Sequence, residues 1–282
     1  MTERWFSETL FPDFRQVYQV SKILYEDKTE FQDVMIFETP RFGRVLALDG
    51  IIQTTELDEF CYHEMIAHVP LFAHGDVRKV LIIGGGDGGA LEEVLKHPVE
   101  TVAMVELDDT VVRLCREYLP GICGDAFEDG RLDLRFMDGT RFVKDTDEKF
   151  DVVIVDSTDP VGPGKALFGQ EFYADCASCL SAAGILVTQS GVTFMQEAAA
   201  AETYRRMKSL FADAGLYITQ VPSYGAGYMT FGWGCASEGP RRTPLADIKR
   251  RFAALKLELG YYSPEVHVAS FALPTYIAAL KT

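Results

Sequence analysis

The sequence predicts an α/β protein in which a doubly wound sheet follows a small antiparallel β domain. Two observations carry this prediction. Up to Thr54, segments rich in β-branched and aromatic residues alternate with turn signals, as they do in antiparallel strands. From Lys79 onward, short apolar runs alternate with helical segments, and such continuously apolar strands are typical of a parallel sheet that helices cover on both faces.

The small domain is predicted from its strands and turns. Strand-like runs cover residues 19–25 and 33–38, and turn signals occupy residues 40–43 and 48–50. Short connections of this kind join neighbouring antiparallel strands. We therefore expect a compact antiparallel sheet before the larger domain.

A helix is predicted to join the two domains. Apolar residues between 58 and 73 approximate a helical stripe, with His63 and Glu64 placed along it. The change of pattern around this helix sets the expected domain boundary. We predict an N-terminal β domain over residues 1–57 and a catalytic α/β domain over residues 58–282.

Five apolar runs are the predicted strands of the larger domain. They cover residues 80–83, 101–105, 132–136, 152–155 and 184–188. Residues 243–260 then read as an amphipathic helix that carries a basic stripe of Lys249, Arg250 and Arg251. We interpret the stripe as a solvated face rather than a nucleic-acid surface.

Length and composition exclude several classes of protein. The chain has 282 residues, of which 48% are hydrophobic, which is enough for a large core without disulfides or metals. The first residues are too charged to open a signal peptide, and no apolar run reaches the roughly 18 residues of a membrane span, so we expect a cytoplasmic protein. The formal charge of −15 disfavours nucleic acid and anionic membranes as partners, and it permits a cationic substrate.

The cysteines predict neither disulfides nor a metal centre. Six cysteines are scattered along the chain, and only Cys176 and Cys179 form a C-x-x-C pair. This pair falls inside a predicted helix rather than at a helix start, where redox pairs are placed. Since no second Cys or His pair lies at ligand spacing, we expect buried thiols and no metal.

A glycine-rich turn after the first parallel strand predicts a nucleoside site. Gly84 to Gly89 read G-G-G-D-G-G before a helical segment, and Glu106 ends the next strand, where a carboxylate commonly holds the ribose hydroxyls. A dinucleotide-dependent oxidoreductase is the alternative from the same pattern. Asp87 argues against it, because a carboxylate inside the turn would repel a pyrophosphate and attract a sulfonium or an amine.

A further carboxylate follows the third strand. Asp138 and Gly139 stand where an acidic side chain can accept a hydrogen bond from an adenine amino group. An ordinary turn is the alternative at this position. The preceding glycine turn favours the adenine contact.

An acidic loop follows the fourth predicted strand, at the edge of the sheet where open α/β enzymes place their sites. It reads Asp156-Ser157-Thr158-Asp159-Pro160-Val161-Gly162-Pro163-Gly164, and its two prolines and two glycines suggest a shaped lid. Either aspartate alone could cap the next helix. An alkyl ammonium has a pKa near 10 and attacks carbon only after losing a proton, so we expect Asp156 to be the base and Asp159 and Asp87 to anchor ammonium groups.

These motifs resemble the polyamine aminopropyltransferases, in particular the bacterial enzymes that use putrescine. The resemblance runs from Trp5 to Pro274, and it includes residues 49–56, the segment L-D-E-F-C-Y-H-E-M at 57–65, and Pro222-Ser223-Tyr224. It implies a Rossmann-like, methyltransferase-type catalytic domain behind the small β domain, usually assembled as a homodimer or homotetramer. It also implies transfer of the aminopropyl group of decarboxylated S-adenosylmethionine to putrescine, giving spermidine and methylthioadenosine, with no prosthetic group.

The resemblance assigns roles to individual residues. Asp156 matches the proton acceptor. Cofactor-binding positions are matched by Gln32, Gln53, Gly84, Gly86, Asp87, Glu106, Asp138, Gly139 and Pro163. Positions around the aminopropyl and amine chains are matched by Tyr62, His63, Asp87, Asp156, Ser157, Thr158, Asp159, Gln189 and Tyr224.

Two alternatives of function stay open. A putrescine N-methyltransferase shares the fold and both motifs but would use full S-adenosylmethionine, whose carboxylate Asp87 would repel. A silent polyamine-binding protein would be expected to have lost the base, and Asp156 is present. The acceptor is the least determined feature, because an apolar slot distinguishes methylene groups by only about 1–3 kcal/mol.

Overall fold

The strands of the N-terminal part are antiparallel, as the sequence predicts, but they form two sheets instead of one. This computed structural model describes residues 4–159 and 162–281, apart from the side chain of Pro163. The first six strands are β1 (Arg4–Ser7), β2 (Val17–Val20), β3 (Lys22–Lys28), β4 (Asp33–Thr39), β5 (Gly43–Leu48) and β6 (Ile51–Thr55). Strands β1 and β2 pair with each other, and β3 to β6 form a sheet in sequence order.

The predicted run 19–25 is two strands rather than one. It is interrupted at Ser21, and the parts on either side belong to different sheets. Both sheets still bury apolar side chains at their contact, where Tyr18 and Val20 pack with Phe37 and Val45. The other face of the four-stranded sheet packs on helices of the larger domain.

The larger domain contains one seven-stranded sheet with helices on both faces. Its strands are β7 (Lys79–Gly84), β8 (Thr101–Glu106), β9 (Leu132–Phe136), β10 (Phe150–Asp156), β11 (Leu180–Val192), β12 (Asp213–Thr219) and β13 (Met229–Cys235). Their spatial order is β12-β13-β11-β10-β7-β8-β9. Alternate residues of β7 enter opposite cores, Val80 and Ile82 on one face and Leu81 and Ile83 on the other, which explains why the strand is apolar throughout.

The helices fill the connections between these strands. They are α1 (Phe60–His74), α2 (Gly89–Leu95), α3 (Asp109–Tyr118), α4 (Pro120–Cys123), α5 (Gly139–Asp145), α6 (Gln170–Ser178), α7 (Glu197–Leu210), α8 (Leu245–Leu255), α9 (Pro264–Ser270) and α10 (Thr275–Ala278). Short 3₁₀ helices cover Ala126–Glu128, Gly162–Phe168, Pro222–Tyr224, Pro240–Arg242 and Ala279–Lys281. None of the helices in the described part of the chain has the length and apolarity that crossing a membrane requires.

The large sheet is mixed, whereas the sequence pattern indicated parallel strands only. Strand β13 runs antiparallel to β11 and β12. The pattern of β13 is interrupted by Gly232 and Gly234, where a Cβ atom would overlap Thr203 and Phe211 of the covering helix region. These glycines let the helix pack closely on the sheet. They also interrupt the apolar run from which a strand would be predicted.

Two predictions about helices need correction. Helix α1 is buried from Cys61 to Ala73 on all sides instead of along a stripe, because the sheet, α2 and the C-terminal helices surround it. The predicted helix 243–260 is the shorter α8, and its basic stripe is only partly solvated. The guanidinium of Arg251 donates to the carbonyls of Phe72 and Ala73 and so caps the end of α1.

The cysteines agree with the prediction of buried thiols. All six are free and buried. Cys176 lies in α6, and Cys179 immediately follows its last residue.

We propose that the domain boundary lies between residues 57 and 58, in the segment between β6 and α1.

The carboxylate of Glu64 ties the C-terminal segment to α1. It is buried and accepts hydrogen bonds from the backbone N–H groups of Gly260, Tyr261 and Tyr262 at 2.6–2.8 Å. The substitution Glu64→Ala leaves these donors without a partner, so we expect a loss of about 3 kcal/mol or more in the free energy of unfolding. Urea denaturation measures it. Glu117→Ala, at an exposed glutamate of α3, is the control and should change stability by less than about 0.5 kcal/mol; an equal effect of both variants would contradict the role of Glu64.

Candidate active site

One cavity of about 350 Å³ lies at the carboxyl ends of the parallel strands. It extends from the glycine turn to the N-terminal β sheet and α1. The order of strands reverses between β7 and β10, and the cavity opens at this reversal, which is where open α/β sheets bind their ligands.

The structure brings nearly all the predicted site residues to this cavity. Those predicted for the cofactor that line it are Gln32, Gln53, Gly84, Gly86, Asp87, Glu106, Asp138 and Gly139. Those predicted for the amine and aminopropyl chains that line it are Tyr62, His63, Asp87, Asp156, Ser157, Thr158, Asp159, Gln189 and Tyr224. Pro160, Val161 and the side chain of Pro163 lie outside the described residues. Which of these side chains contact a ligand stays a prediction.

The glycine turn is pressed against the end of β10. Gly84 and Gly85 have positive φ angles of 81° and 72°, and the N–H of Gly85 donates to the carbonyl of Asp156 at 2.8 Å. A Cβ atom on Gly84 would overlap that carbonyl oxygen. Glycine is therefore required at position 84, because the neighbouring strand β10 leaves no room for a side chain. A ligand that approaches the turn adds to this requirement.

The nucleoside end of the cavity contains Glu106. This carboxylate accepts hydrogen bonds from the N–H groups of Leu107 and Asp108 at 2.7 and 3.0 Å on one oxygen. Burial outweighs these bonds and raises the pKa of Glu106 to about 7. A ligand hydroxyl that donates to the carboxylate would favour its charged form.

Two further polar side chains at this end are held by the protein. Gln32 donates to Asp108 at 3.2 Å, and this aspartate also caps α3. Asp138 is exposed and caps α5 by accepting from the N–H and hydroxyl of Thr140 at 2.8 Å. Asp138 is thus a helix cap, and the residue also lines the cavity.

Asp156, the last residue of β10, lines the cavity. The hydroxyl of Tyr62 donates to one of its oxygens at 2.6 Å. Burial and the nearby charge of Asp87 raise the pKa of Asp156 to about 6, against the opposing effects of His63 and the Tyr62 bond. A carboxylate with such a pKa is ionised at neutral pH but accepts a proton more readily than an ordinary aspartate.

His63 lies between two carboxylates. Its Nδ1 is 2.6 Å from Glu59 and its Nε2 is 3.4 Å from Asp87. Burial acts to lower the pKa of His63, but Asp87 and Glu59 outweigh burial and raise it well above the ordinary value. Burial acts to raise the pKa of Asp87, but the imidazole of His63 and the Gly89 N–H outweigh burial and lower it.

This pairing disfavours a metal ion at the same position. His63, Asp87 and Asp156 lie close enough together to offer three ligand atoms. A metal needs a neutral imidazole nitrogen with a free lone pair. Both nitrogens of His63 instead face carboxylates, and these carboxylates raise its pKa, which favours a protonated imidazole over the neutral form that a metal would need.

Two tyrosines form an apolar wall beside Asp156. The rings of Tyr62 and Tyr224 meet edge to face with centroids 5.9 Å apart, and the hydroxyl of Tyr224 donates to the carbonyl of Gln53 at 2.6 Å. Burial raises the pKa of both tyrosines well above the ordinary value, so both stay neutral donors. An alkyl chain can lie along this wall.

The far end of the cavity is acidic. Asp159 accepts from Gln196 at 2.5 Å, and Glu8 accepts from Gln16 and from the N–H of Ile52 at 3.1 and 3.0 Å. Burial raises the pKa of both carboxyl groups, and the charge of Asp159 adds to the effect on Glu8. No lysine or arginine is found among the lining residues in the described part of the chain. This end is suited to an ammonium group.

Glu8 and Gln196 are cavity residues that the sequence did not reveal. Glu8 lies in an irregular segment before β2, and Gln196 lies in a turn before α7. Neither belongs to a motif that marks chemistry. Only folding places them beside Asp159.

Comparison with known proteins identifies similar chains. A family model described as "Spermine/spermidine synthase domain" matches residues 59–241, and one described as "Spermidine synthase tetramerisation domain" matches residues 4–56. A polyamine aminopropyltransferase of Pseudomonas syringae pv. tomato is 52% identical over 273 residues, which cover 96% of each chain. That of Yersinia pseudotuberculosis is 49% identical over 276 residues, covering 98% of this chain and 93% of the relative.

Solved structures of high similarity agree with these sequence matches. A spermidine synthase in complex with the transition-state analogue AdoDATO superposes with a TM-score of 0.94 at 36% identity, covering 100% of this chain and 96% of the other. The spermidine synthase of Thermotoga maritima gives a TM-score of 0.91 at 35% identity, with coverage of 100% and 95%. The mixed sheet and the small N-terminal sheet are thus a shared fold.

The raised pKa of Asp156 has a consequence for stability. At pH 8 the folded protein holds a buried charge there that the unfolded chain exposes to water, so Asp156→Asn should stabilise the ligand-free protein by about 1–3 kcal/mol. The gain should shrink as the pH falls through 6, and disappear below about 4, where both states are protonated.

Urea unfolding of the ligand-free protein at several pH values measures this effect. Asp151→Asn is the contrasting control. Asp151 accepts from the N–H groups of Arg78 and Lys79, which lower its pKa despite burial, so its replacement should destabilise the protein. A loss of stability in Asp156→Asn at pH 8 would contradict the buried charge.

Proposed function

The chain belongs to the spermine/spermidine synthase family of aminopropyltransferases, and from this we propose that it transfers an aminopropyl group from decarboxylated S-adenosylmethionine to putrescine. The products are spermidine and methylthioadenosine. The observation that supports this proposal most is a continuous cavity with a nucleoside-type end at Glu106 and an acidic end at Asp159 and Glu8. Asp156 and Asp87 lie between the two ends.

We assign the glycine turn and its neighbours to the nucleoside. Glu106 would accept from the ribose hydroxyls, and Asp138 would face the adenine amino group. The sulfonium would then lie near Asp87 and Asp156, whose negative charges favour it. One of the similar spermidine synthases was solved in complex with a transition-state analogue, AdoDATO, and its fold matches this chain along its whole length.

Asp156 is the proposed general base. The amine arrives as an ammonium with a pKa near 10, and a proton transfer to an ordinary aspartate would face a gap of about 6 pKa units. In the ligand-free protein the pKa of Asp156 is raised to about 6, so for that state the gap is narrower by about 2 units, or about 3 kcal/mol. The base still remains ionised at neutral pH.

The reaction is a displacement at carbon. The amine nitrogen forms a bond to the carbon beside the sulfonium, the carbon–sulfur bond breaks, and its electron pair stays on sulfur as a neutral thioether. The proton leaves the nitrogen for Asp156. Nitrogen, carbon and sulfur must lie roughly in line, and we expect the wall of Tyr62 and Tyr224 to hold the flexible diamine in that line.

The acceptor is proposed from the acidic end of the cavity. Putrescine has an ammonium at each end, and its distal ammonium would lie near Asp159 and Glu8 while the other amine faces Asp156. The raised pKa values of Asp159 and Glu8 indicate that their charges are costly in the empty site. A bound cation would offset that cost.

We further propose a homodimer or homotetramer in the cytoplasm. The family model that matches residues 4–56 is described as a tetramerisation domain. In this segment Trp5 and Val17 are each 53% exposed on the β1–β2 sheet. The six free thiols favour a reducing compartment.

The proposed function is tested by assay of the purified protein with putrescine and each form of the nucleoside substrate. We expect spermidine and methylthioadenosine from decarboxylated S-adenosylmethionine, and no methylated putrescine from S-adenosylmethionine. Asp156→Asn should lower kcat by at least about 100-fold and change the Kd of methylthioadenosine by less than about threefold.

The control for this assay is Asp151→Asn, which alters a carboxylate remote from the cavity and should keep kcat within about threefold. Methylated product would support an N-methyltransferase. Binding of both ligands without methylthioadenosine release would support a silent binding protein. A near-native kcat of Asp156→Asn would refute the assignment of Asp156 as the general base.

A further inference from the structure

Two glutamine side chains link the end of β11 to the acidic loop. Gln189 accepts from the N–H of Gly191 at 2.8 Å and donates to the carbonyl of Thr158 at 3.0 Å. Gln196 accepts from the N–H of Val192 at 2.7 Å and donates to Asp159 at 2.5 Å. Each amide thus links a residue at the end of β11, Gly191 or Val192, to one of two consecutive residues of the loop.

The geometry fixes which way the amide of Gln196 points. A backbone N–H can only meet an acceptor, so the oxygen of Gln196 faces Val192 and its NH₂ group faces Asp159. Gly191 has a φ of 77°, and a Cβ atom there would overlap the Gln196 oxygen. Because Gly191 has no side chain, there is room beside it for the Gln196 amide, which then contacts Asp159.

A neutral donor suits the function proposed for Asp159. A lysine or arginine at the same place would also hold the carboxylate, but it would cancel the charge that an ammonium needs. The amide of Gln196 occupies one oxygen of Asp159 and leaves the carboxylate negative. Its hydrogen bond also lowers the pKa of Asp159 against the effect of burial.

From these contacts we propose that Gln196 is a positioning residue that orients Asp159 and thereby sets the affinity for the acceptor amine. The inference rests on the proposed function, because it takes Asp159 as the anchor of the distal ammonium. The side-chain amide of Gln196 is engaged with Val192 and Asp159, whereas Asp156 is held by Tyr62 and Glu106 by its own neighbours. The base and the nucleoside end should therefore work independently of Gln196.

The variant Gln196→Glu tests the proposal most sharply. It keeps the length of the side chain and the acceptor for Val192, but it replaces the donor to Asp159 by an oxygen that repels it. We expect the KM for putrescine to rise by about tenfold or more, since hydrogen bonds to charged groups are among the stronger ones. The KM for decarboxylated S-adenosylmethionine and the kcat at saturating putrescine should change by less than about threefold.

Gln196→Met is the second variant, because it keeps a similar length without adding charge. It should raise the KM for putrescine less than Gln196→Glu does. Gln170→Glu is the matched control, since this exposed glutamine outside the cavity donates to Ser209 at 3.1 Å and loses a donor in the same way. Its kinetic constants should equal those of the wild type.

The outcomes separate the two proposals. If the wild type transfers no aminopropyl group to putrescine, the proposed function fails, whatever the variants do. If the wild type is active and both folded Gln196 variants keep the putrescine KM within twofold, the inference is wrong. It is also wrong if the variants raise both KM values and lower kcat alike, since that pattern indicates a general structural defect. Thermal unfolding verifies that each variant is folded.

Discussion

The backbone of the glycine turn lies against the end of β10, where the Gly85 N–H donates to the Asp156 carbonyl at 2.8 Å. This contact exists because β7 and β10 are neighbouring parallel strands in which Gly84 pairs with Asp156. Any side chain at Gly84 would push the two apart. The same contact therefore brings together the nucleoside-type turn and the proposed base, and it places Asp87 and Asp156 in one largely buried space.

The crowding of carboxylates follows from that contact. Burial and the charge of Asp87 raise the pKa of Asp156, while His63, held by Glu59, keeps Asp87 ionised. The buried charge of Asp156 costs stability in the empty protein, whereas His63 and Asp87 favour each other's charged forms. A cationic substrate offsets the repulsion between the carboxylates of Asp87 and Asp156. The crowding of these carboxylates therefore favours the binding of a sulfonium and of ammonium groups.

The local motifs could be predicted from the sequence, whereas contacts made by the tertiary fold could not. The turn at Gly84–Gly89 and the loop at Asp156 are short segments whose chemistry depends on adjacent residues, and both line the cavity. Glu8 and Gln196 reach Asp159 from remote segments, and nothing in their own surroundings marks them. The antiparallel strand β13 could not be predicted for a similar reason. Gly232 and Gly234 interrupt its apolar pattern, but in the fold they let α7 and Phe211 pack closely on an unbroken strand.

The surroundings of Asp156 make it a base with a pKa near 6, and the proposed chemistry depends on this value. Carbon-13 NMR titration of the Asp156 carboxyl in the ligand-free protein measures it directly, with Asp87→Asn as the comparison. We predict a midpoint near 6 that moves toward the ordinary value of aspartate when the charge at position 87 is removed. A midpoint near 4 in the wild type would contradict this account, and a midpoint that Asp87→Asn leaves unchanged would show that the charge of Asp87 does not tune this carboxylate.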